Sequence, residues 1–150
     1  MKAIDVSNYL IDLASQSNEN DLTNLKLQKL LYFAQGKHMS SNEGEALFNE
    51  ELEAWGYGPV VKSVYHTFKG AGNSPLTVFD EGYAPAEIDD KTKTFLDSIW
   101  SEIGQKYSAF FLVKTTHAEG TPWKAVFQEG VDSIIIPKAY LFEYFSKNEL

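Results

Sequence analysis

Apolar residues recur at helical spacing along most of this chain, and the polar stretches between them mark the ends of the elements. Ile4, Tyr9, Leu10, Leu13 and Ala14 predict an amphipathic helix over residues 4–15. Residues 17–21 are polar and turn-like. The strongest helical pattern follows, over residues 23–40. Thr23 is its natural N-cap, because a threonine hydroxyl can accept an orphan N–H of the first turn. Leu22 and Leu27 then have the spacing of a hydrophobic staple. Leu27, Leu30, Leu31 and Ala34 form the expected core stripe, and Gly36 reads as a weak point or a place of close packing.

Beyond a loop at 42–49 the signals shorten. Residues 52–57 alternate weakly, as a short strand does. Gly58-Pro59 reads as a helix start, because proline is tolerated in the first turn, and the helix would end at Gly70 and Gly72. Residues 76–79 form a second candidate strand within a loop-rich stretch. A helix is predicted over 89–105, with Phe95, Ile99 and Ile103 on one face and Leu96 and Trp100 beside them. Ser108 caps a further helix to His117, and Thr121-Pro122-Trp123 opens a short one to about residue 128. The β-branched run at 133–136 is a third candidate strand, and a last helix covers 137–146. The fold expected is mainly α (α+β): a compact helical domain of about six or seven helices with a small sheet of two or three short strands.

Composition narrows the function more than the fold. The chain has 150 residues, 43% hydrophobic and 14% aromatic, enough for a single core without staples. It has no cysteine, so disulfides, thiolate nucleophiles and cysteine-based zinc sites are excluded. Asp5 and Asp12 interrupt the first apolar stretch, which is therefore not read as a signal peptide, and no apolar run is long enough to span a bilayer. A cytoplasmic location and no membrane association are expected. The formal net charge is −8, and all thirteen basic side chains are lysines. Arginine dominates guanine readout and bidentate phosphate binding, so direct nucleic-acid binding is not expected. A basic protein is the natural partner.

The search for catalytic or cofactor chemistry finds none. His38, His66 and His117 have no metal-ligand spacing, and His117 with Glu119 is too weak a pair to count. At the end of a helix, the His117 ring is placed to hydrogen-bond the last carbonyls. Glu43, Glu45, Glu50, Glu51 and Glu53 cluster, but a glutamate-rich loop is first a solvated surface. Glu53, beside Trp55, is expected to be partly buried and paired. Gly70-Ala71-Gly72 has neither the third glycine of a dinucleotide fingerprint nor the Lys-Ser/Thr of a P-loop. Lys26 and Lys29 share a helix face. That face is either solvated or a pairing surface for a carboxylate such as Glu53. Trp55 is expected to cover the base of the helix that follows it.

Three segments resemble a known family. They are L-T-N-L-K-L-Q-K-L-L-Y-F-A-Q-G at 22–36, E-A-W-G-Y-G-P-V-V-K-S-V-Y at 53–65 and T-H-A-E-G-T-P-W at 116–123. In this order they are similar to successive blocks of the Panacea domain of SocA-like antitoxins and phage-associated proteins. The resemblance runs from about residue 5 to 145 and implies a single such domain over 1–150. The blocks fall on Lys26, Gln28, Lys29, Tyr32, Glu53, Trp55, Gly58, Pro59, Val60, Tyr65, His117, Pro122 and Trp123, as structural or partner-binding residues. The resemblance implies an antitoxin, often prophage or mobile-element encoded, that neutralises a cognate toxin by direct contact. The toxin would come from a neighbouring gene, and one branch of the family implies delivery to a protease. It implies neither enzyme activity nor a cofactor. The alternatives are a small hydrolase using the Glu43 to Glu53 carboxylates or His117, and a transcriptional regulator placing the 23–40 helix in a DNA groove.

Overall fold

The structure, a computed structural model, describes residues 1–80 and 82–150. Among them are seven α-helices and one two-stranded sheet: α1 (Ala3–Ser15), α2 (Asn24–Ser41), β1 (Glu53–Trp55), β2 (Gly58–Val60), α3 (Lys62–Phe68), α4 (Asp90–Ile99), α5 (Ala109–Thr116), α6 (Pro122–Val126) and α7 (Lys138–Phe145). This is the mainly α fold with a small sheet that the patterning predicts. The expected caps are present. Thr23, Ser108 and Thr121 each accept an amide of their own first turn, from Lys26, Phe111 and Lys124.

The core is organised around α2, which touches α1, β2, α3, α4, α5 and α7. Every residue from 26 to 36 is buried. The stripe of four apolar residues is therefore a correction: this helix has no solvent face along its middle. At Gly36 the reading as a close-packing point holds, since a Cβ there would lie 2.0 Å from Cδ2 of Phe145 on α7. The Phe145 ring occupies that space and meets Tyr32 and Phe33 edge to face at 5.3 and 5.9 Å.

Four segments differ from the sequence expectation. Gly58-Pro59 does not start a helix but lies in β2, and α3 begins at Lys62. The pairing register sets Pro59 opposite Ala54, while Ala54 N–H bonds outward to the Ile134 carbonyl. Pro59 thus occupies a position whose missing N–H leaves no ladder bond unmade. Residues 76–79 form no strand. Two of their amides bond to α1 and the loop before α2, Leu76 N–H to the Leu22 carbonyl and Phe79 N–H to Asn8 Oδ1. The helix expected over 89–105 is α4 closed by a wide π turn, Trp100–Gly104, in which Gln105 N–H reaches the Trp100 carbonyl. A Cβ at Gly104 would stand 2.4 Å from the Trp100 ring. The 133–136 run is strand-like only at a single antiparallel bridge, Ile135 opposite Glu53.

Gly36→Ala is expected to destabilise the protein by about 1–3 kcal/mol, because overpacking at Phe145 outweighs the helix-propensity gain of about 1 kcal/mol. Urea unfolding checks the sign, and Phe145→Leu in the same chain should recover part of the loss.

Candidate functional site

Lys26 and Lys29 project from α2, and burial decides what each of them does. Lys26 is buried along its stem and reaches Asp21 at 2.9 Å, with its ammonium 6.0 Å from the Trp100 ring. Lys29 is wholly buried, and its ammonium donates to the Pro59 carbonyl at 3.0 Å, with no carboxylate bound to it among the described residues. The face is not solvated; Lys26 does pair with a carboxylate, but that of Asp21 rather than Glu53, and Lys29 pairs with a carbonyl instead. Desolvation pulls Lys29 down from the usual 10.5 to about 7. Gly58 makes room for it. Its φ is +111°, and a Cβ there would come within 2.8 Å of Lys29 Cε and of Thr116 Oγ1.

Other polar groups of α2 fix the same hairpin. Gln28 Oε1 accepts from Val61 N–H at 2.9 Å, and Gln28 Nε2 donates to Asn24 Oδ1. Asn24 in turn donates to the Tyr65 carbonyl at 3.1 Å. From the other side, Trp123 Nε1 donates to the Trp55 carbonyl at 2.7 Å. The three similar segments therefore meet at β1 and β2. The meeting includes Gln28, Lys29, Glu53, Trp55, Gly58, Pro59, Val60, Tyr65, His117 and Trp123. Pro122, buried, opens α6 and so sets Trp123 in place. Lys26 and Tyr32 lie apart. Tyr32 is held in the α2–α7 core, where burial pushes its hydroxyl far above the usual range.

The hairpin turn stands between two clefts. One, about 730 Å³, is walled by Trp55, Gly56, Lys62, His117, Trp123, Phe127 and the 129–133 loop. The other, about 440 Å³, is walled by Asn24, Gln28, Lys29, Trp55, Tyr57, Tyr65 and Lys69. Trp55 lines both and is half-buried rather than sealed in the core. Its ring meets Tyr65 edge to face at 4.9 Å, and its N–H donates to Glu53 Oε1 at 3.0 Å. Glu53 is thus partly buried and paired, as expected. Tyr57, at the turn, is 75% exposed.

His117 does not bond the last carbonyls of α5. Its ring stacks on Trp123 at 3.8 Å, and Trp123 stacks on Phe127 at 4.4 Å. The His117 Nε2 is buried without a hydrogen-bond partner among the described residues. Burial lowers its pKa first, with the positive charges of Lys29 and then Lys124 adding to the effect. Phe127 and the 129–133 loop escaped the sequence reading. The i,i+4 spacing of Trp123 and Phe127 was the available signal for the stack.

The clustered glutamates have separate structural duties. Glu50 accepts the Ala3 amide at 2.9 Å, Glu51 pairs with Lys138 at 3.0 Å, and Glu43 and Glu45 lie exposed after α2. Among the described residues no three acidic, histidine or cysteine side chains are placed to hold a metal ion. No helix among them is long and apolar enough to cross a membrane. The geometry suits recognition of a partner by aromatic edges around a rigid turn.

Residues 27–124 match the family described as Antitoxin SocA-like, Panacea domain. The Antitoxin SocA of Caulobacter vibrioides (strain NA1000 / CB15N) is 31% identical over 132 residues, covering 81% of this chain and 68% of that protein. No solved structure matches the chain significantly.

The buried lysine sets a pH dependence. Its pKa is lower in the folded than in the unfolded chain, so between about 7 and 10.5 the unfolded state holds the extra proton. Lys29 therefore destabilises the fold fully below about pH 7, and this penalty fades as the pH rises towards 10.5. Denaturant unfolding at pH 6, 8 and 9.5 should show stability rising from this source, and Lys29→Met should flatten the rise. Trp123→Phe should cost about 1–3 kcal/mol, because it leaves the Trp55 carbonyl without its donor. Hydrogen exchange should place that loss at the hairpin before the helices.

Proposed function

The chain belongs to the SocA-like antitoxins of the Panacea-domain family, and from that membership we propose that it neutralises one cognate toxin by stoichiometric direct contact. The toxin is encoded beside it, on a prophage or another mobile element, and the pair acts in the cytoplasm. The observation that carries this reading is the convergence of all three family-like segments on one hairpin, through the Lys29–Pro59 and Trp123–Trp55 hydrogen bonds. Within that convergence, Lys29, Gln28, Gly58 and Pro59 hold the hairpin. Trp55, Tyr65, His117 and Trp123 present its aromatic surroundings to the toxin. Tyrosine and tryptophan are the side chains that most often anchor protein interfaces.

The net charge of −8 favours a basic toxin, whose approach would be steered and would slow as salt rises. Catalysis is not part of this reading. Of the glutamates that a small hydrolase would recruit, Glu50, Glu51 and Glu53 are spent on Ala3, Lys138 and Trp55, and Glu43 and Glu45 lie exposed in the loop after α2. A regulator inserting α2 into a DNA groove is disfavoured for a different reason, since that helix is buried along its middle.

Co-expression with the adjacent reading frame is the test. Growth should be restored in proportion to the antitoxin-to-toxin ratio, and a stable complex should co-purify. Rescue at strongly substoichiometric amounts without a complex would point to protease delivery instead. No rescue from either neighbouring gene would remove the direct-contact reading.

A further inference from the structure

The strand-like residue Ile135 is joined to the sheet on one side only. The two hydrogen bonds of this bridge run from Ala54 N–H to the Ile134 carbonyl and from Ile136 N–H to the Leu52 carbonyl, both at 2.8 Å. Ile134 and Ile136 thus point their bonding groups inward to β1. The alternation of an antiparallel ladder then turns the N–H and C=O of Ile135 itself to the opposite edge. Among the described residues no backbone group pairs with Ile135 on that side, and Ile135 is 51% exposed, as is nearby Val131 at 46%. The inner positions behave oppositely, with Ile136, Ala54 and Leu52 all buried. An edge of this kind is a template for a further strand.

The chain around Ile135 also states what kind of strand would fit. Residues 127–136 carry Glu129 and Asp132, both exposed, and no basic side chain. These two carboxylates stand on the rim of the 730 Å³ cleft, whose floor is the stack of His117, Trp123 and Phe127. Ser133, in the left-handed region at φ +60°, lines the cleft just before the bridge at Ile135. Lys62 is the one cation on the cleft wall and lies on the hairpin side. Lys138, beyond the edge, is held by Glu51 at 3.0 Å. A second copy of this chain is a poor occupant. Self-pairing about Ile135 would set Ser133 against Pro137, which has no N–H to give, and each copy brings a charge of −8.

We propose that an extended, basic segment of the toxin pairs with the outer edge at Ile135 as an added strand and lays a lysine or arginine side chain into the adjoining cleft, between Glu129 and Asp132. This rests on the direct-contact reading above and names the surface and chemistry of that contact. Ile135 supplies one donor and one acceptor to the incoming backbone. Ile135 and Val131 supply the apolar contact, and the Phe127 ring supplies a face for the cation.

The test uses the full chain with the product of the neighbouring reading frame. Hydrogen exchange at the Ile135 amide should slow on complex formation. Ile135→Pro removes the outward N–H and leaves both inward bonds in place, so it should fold and weaken the complex about tenfold or more. Glu129→Lys with Asp132→Lys should slow association and reduce its dependence on salt. A complex formed by the unaltered chain, with unchanged exchange at Ile135 and unchanged affinity in the charge-reversed chain, would overturn the proposal and leave the direct-contact reading intact. A concentration-dependent dimer of the chain alone, abolished by Ile135→Pro, would assign the edge to a second copy and also overturn it. Failure of the unaltered chain to bind the neighbouring product removes the direct-contact reading, and the edge proposal falls with it.

Discussion

A helix buried on every side cannot leave its polar side chains to water, and α2 carries five of them: Asn24, Lys26, Gln28, Lys29 and Gln35. Each buried polar group without a partner costs about 1–3 kcal/mol, so five such groups would rival the whole stability of a domain. Most of their partners are backbone groups of the hairpin, of α3 and of the loops beside them, while Lys26 takes the Asp21 carboxylate. Gln35 accepts from Leu47 and donates to the Phe48 carbonyl. Gln28 and Asn24 take Val61 and Tyr65, and Lys29 takes Pro59. The loops are placed by the needs of the helix, and the helix is tolerable only because the loops are there.

That mutual dependence shapes the hairpin. Three-residue strands are too short to be stable alone. Here β2 is held by an ammonium from beneath, and β1 by an indole N–H at Trp55. Gly58 leaves the lysine its space, and Pro59 sits where no amide is needed. The turn between them is thereby a rigid projection, with Tyr57 at its tip and a cleft on either flank. Rigidity of this kind lowers the entropy lost when a partner docks.

The same packing explains why the surroundings are aromatic. His117, Trp123 and Phe127 are stacked with nearly parallel rings, and Trp55 meets Tyr65 edge to face. These contacts fix the orientation of α6 against the sheet without closing the cleft between them. The acidic character of the chain lies mainly outside the core, on loops such as those carrying Glu43, Glu45, Glu129 and Asp132. Aromatic edges in a fixed frame with an acidic periphery form a surface suited to a basic protein partner.

The helices and their caps were legible in the sequence because they rest on local rules. Thr23, Ser108 and Thr121 bond within their own first turns, and the 3.6-residue period needs no knowledge of neighbours. The family-like segments, the absent arginine and the charge were likewise legible, and with them the class of protein. What lay beyond local rules was decided in three dimensions. Gly58-Pro59 has the composition of a helix start, yet pairing with β1 and the carbonyl bond to Lys29 make it a strand. Residues 76–79 have the composition of a strand, yet Asn8 and Leu22 meet their amides first. A lysine pair on one helix face reads as solvated or as paired with a carboxylate, because charge seeks water or a counter-charge. Lys26 finds its partner Asp21 only five residues away, but the surrounding elements, closing over the middle of α2, bury it and leave Lys29 with the carbonyl of Pro59. Burial, and the partner of Lys29, depend on residues distant in sequence, so they belong to the tertiary structure alone.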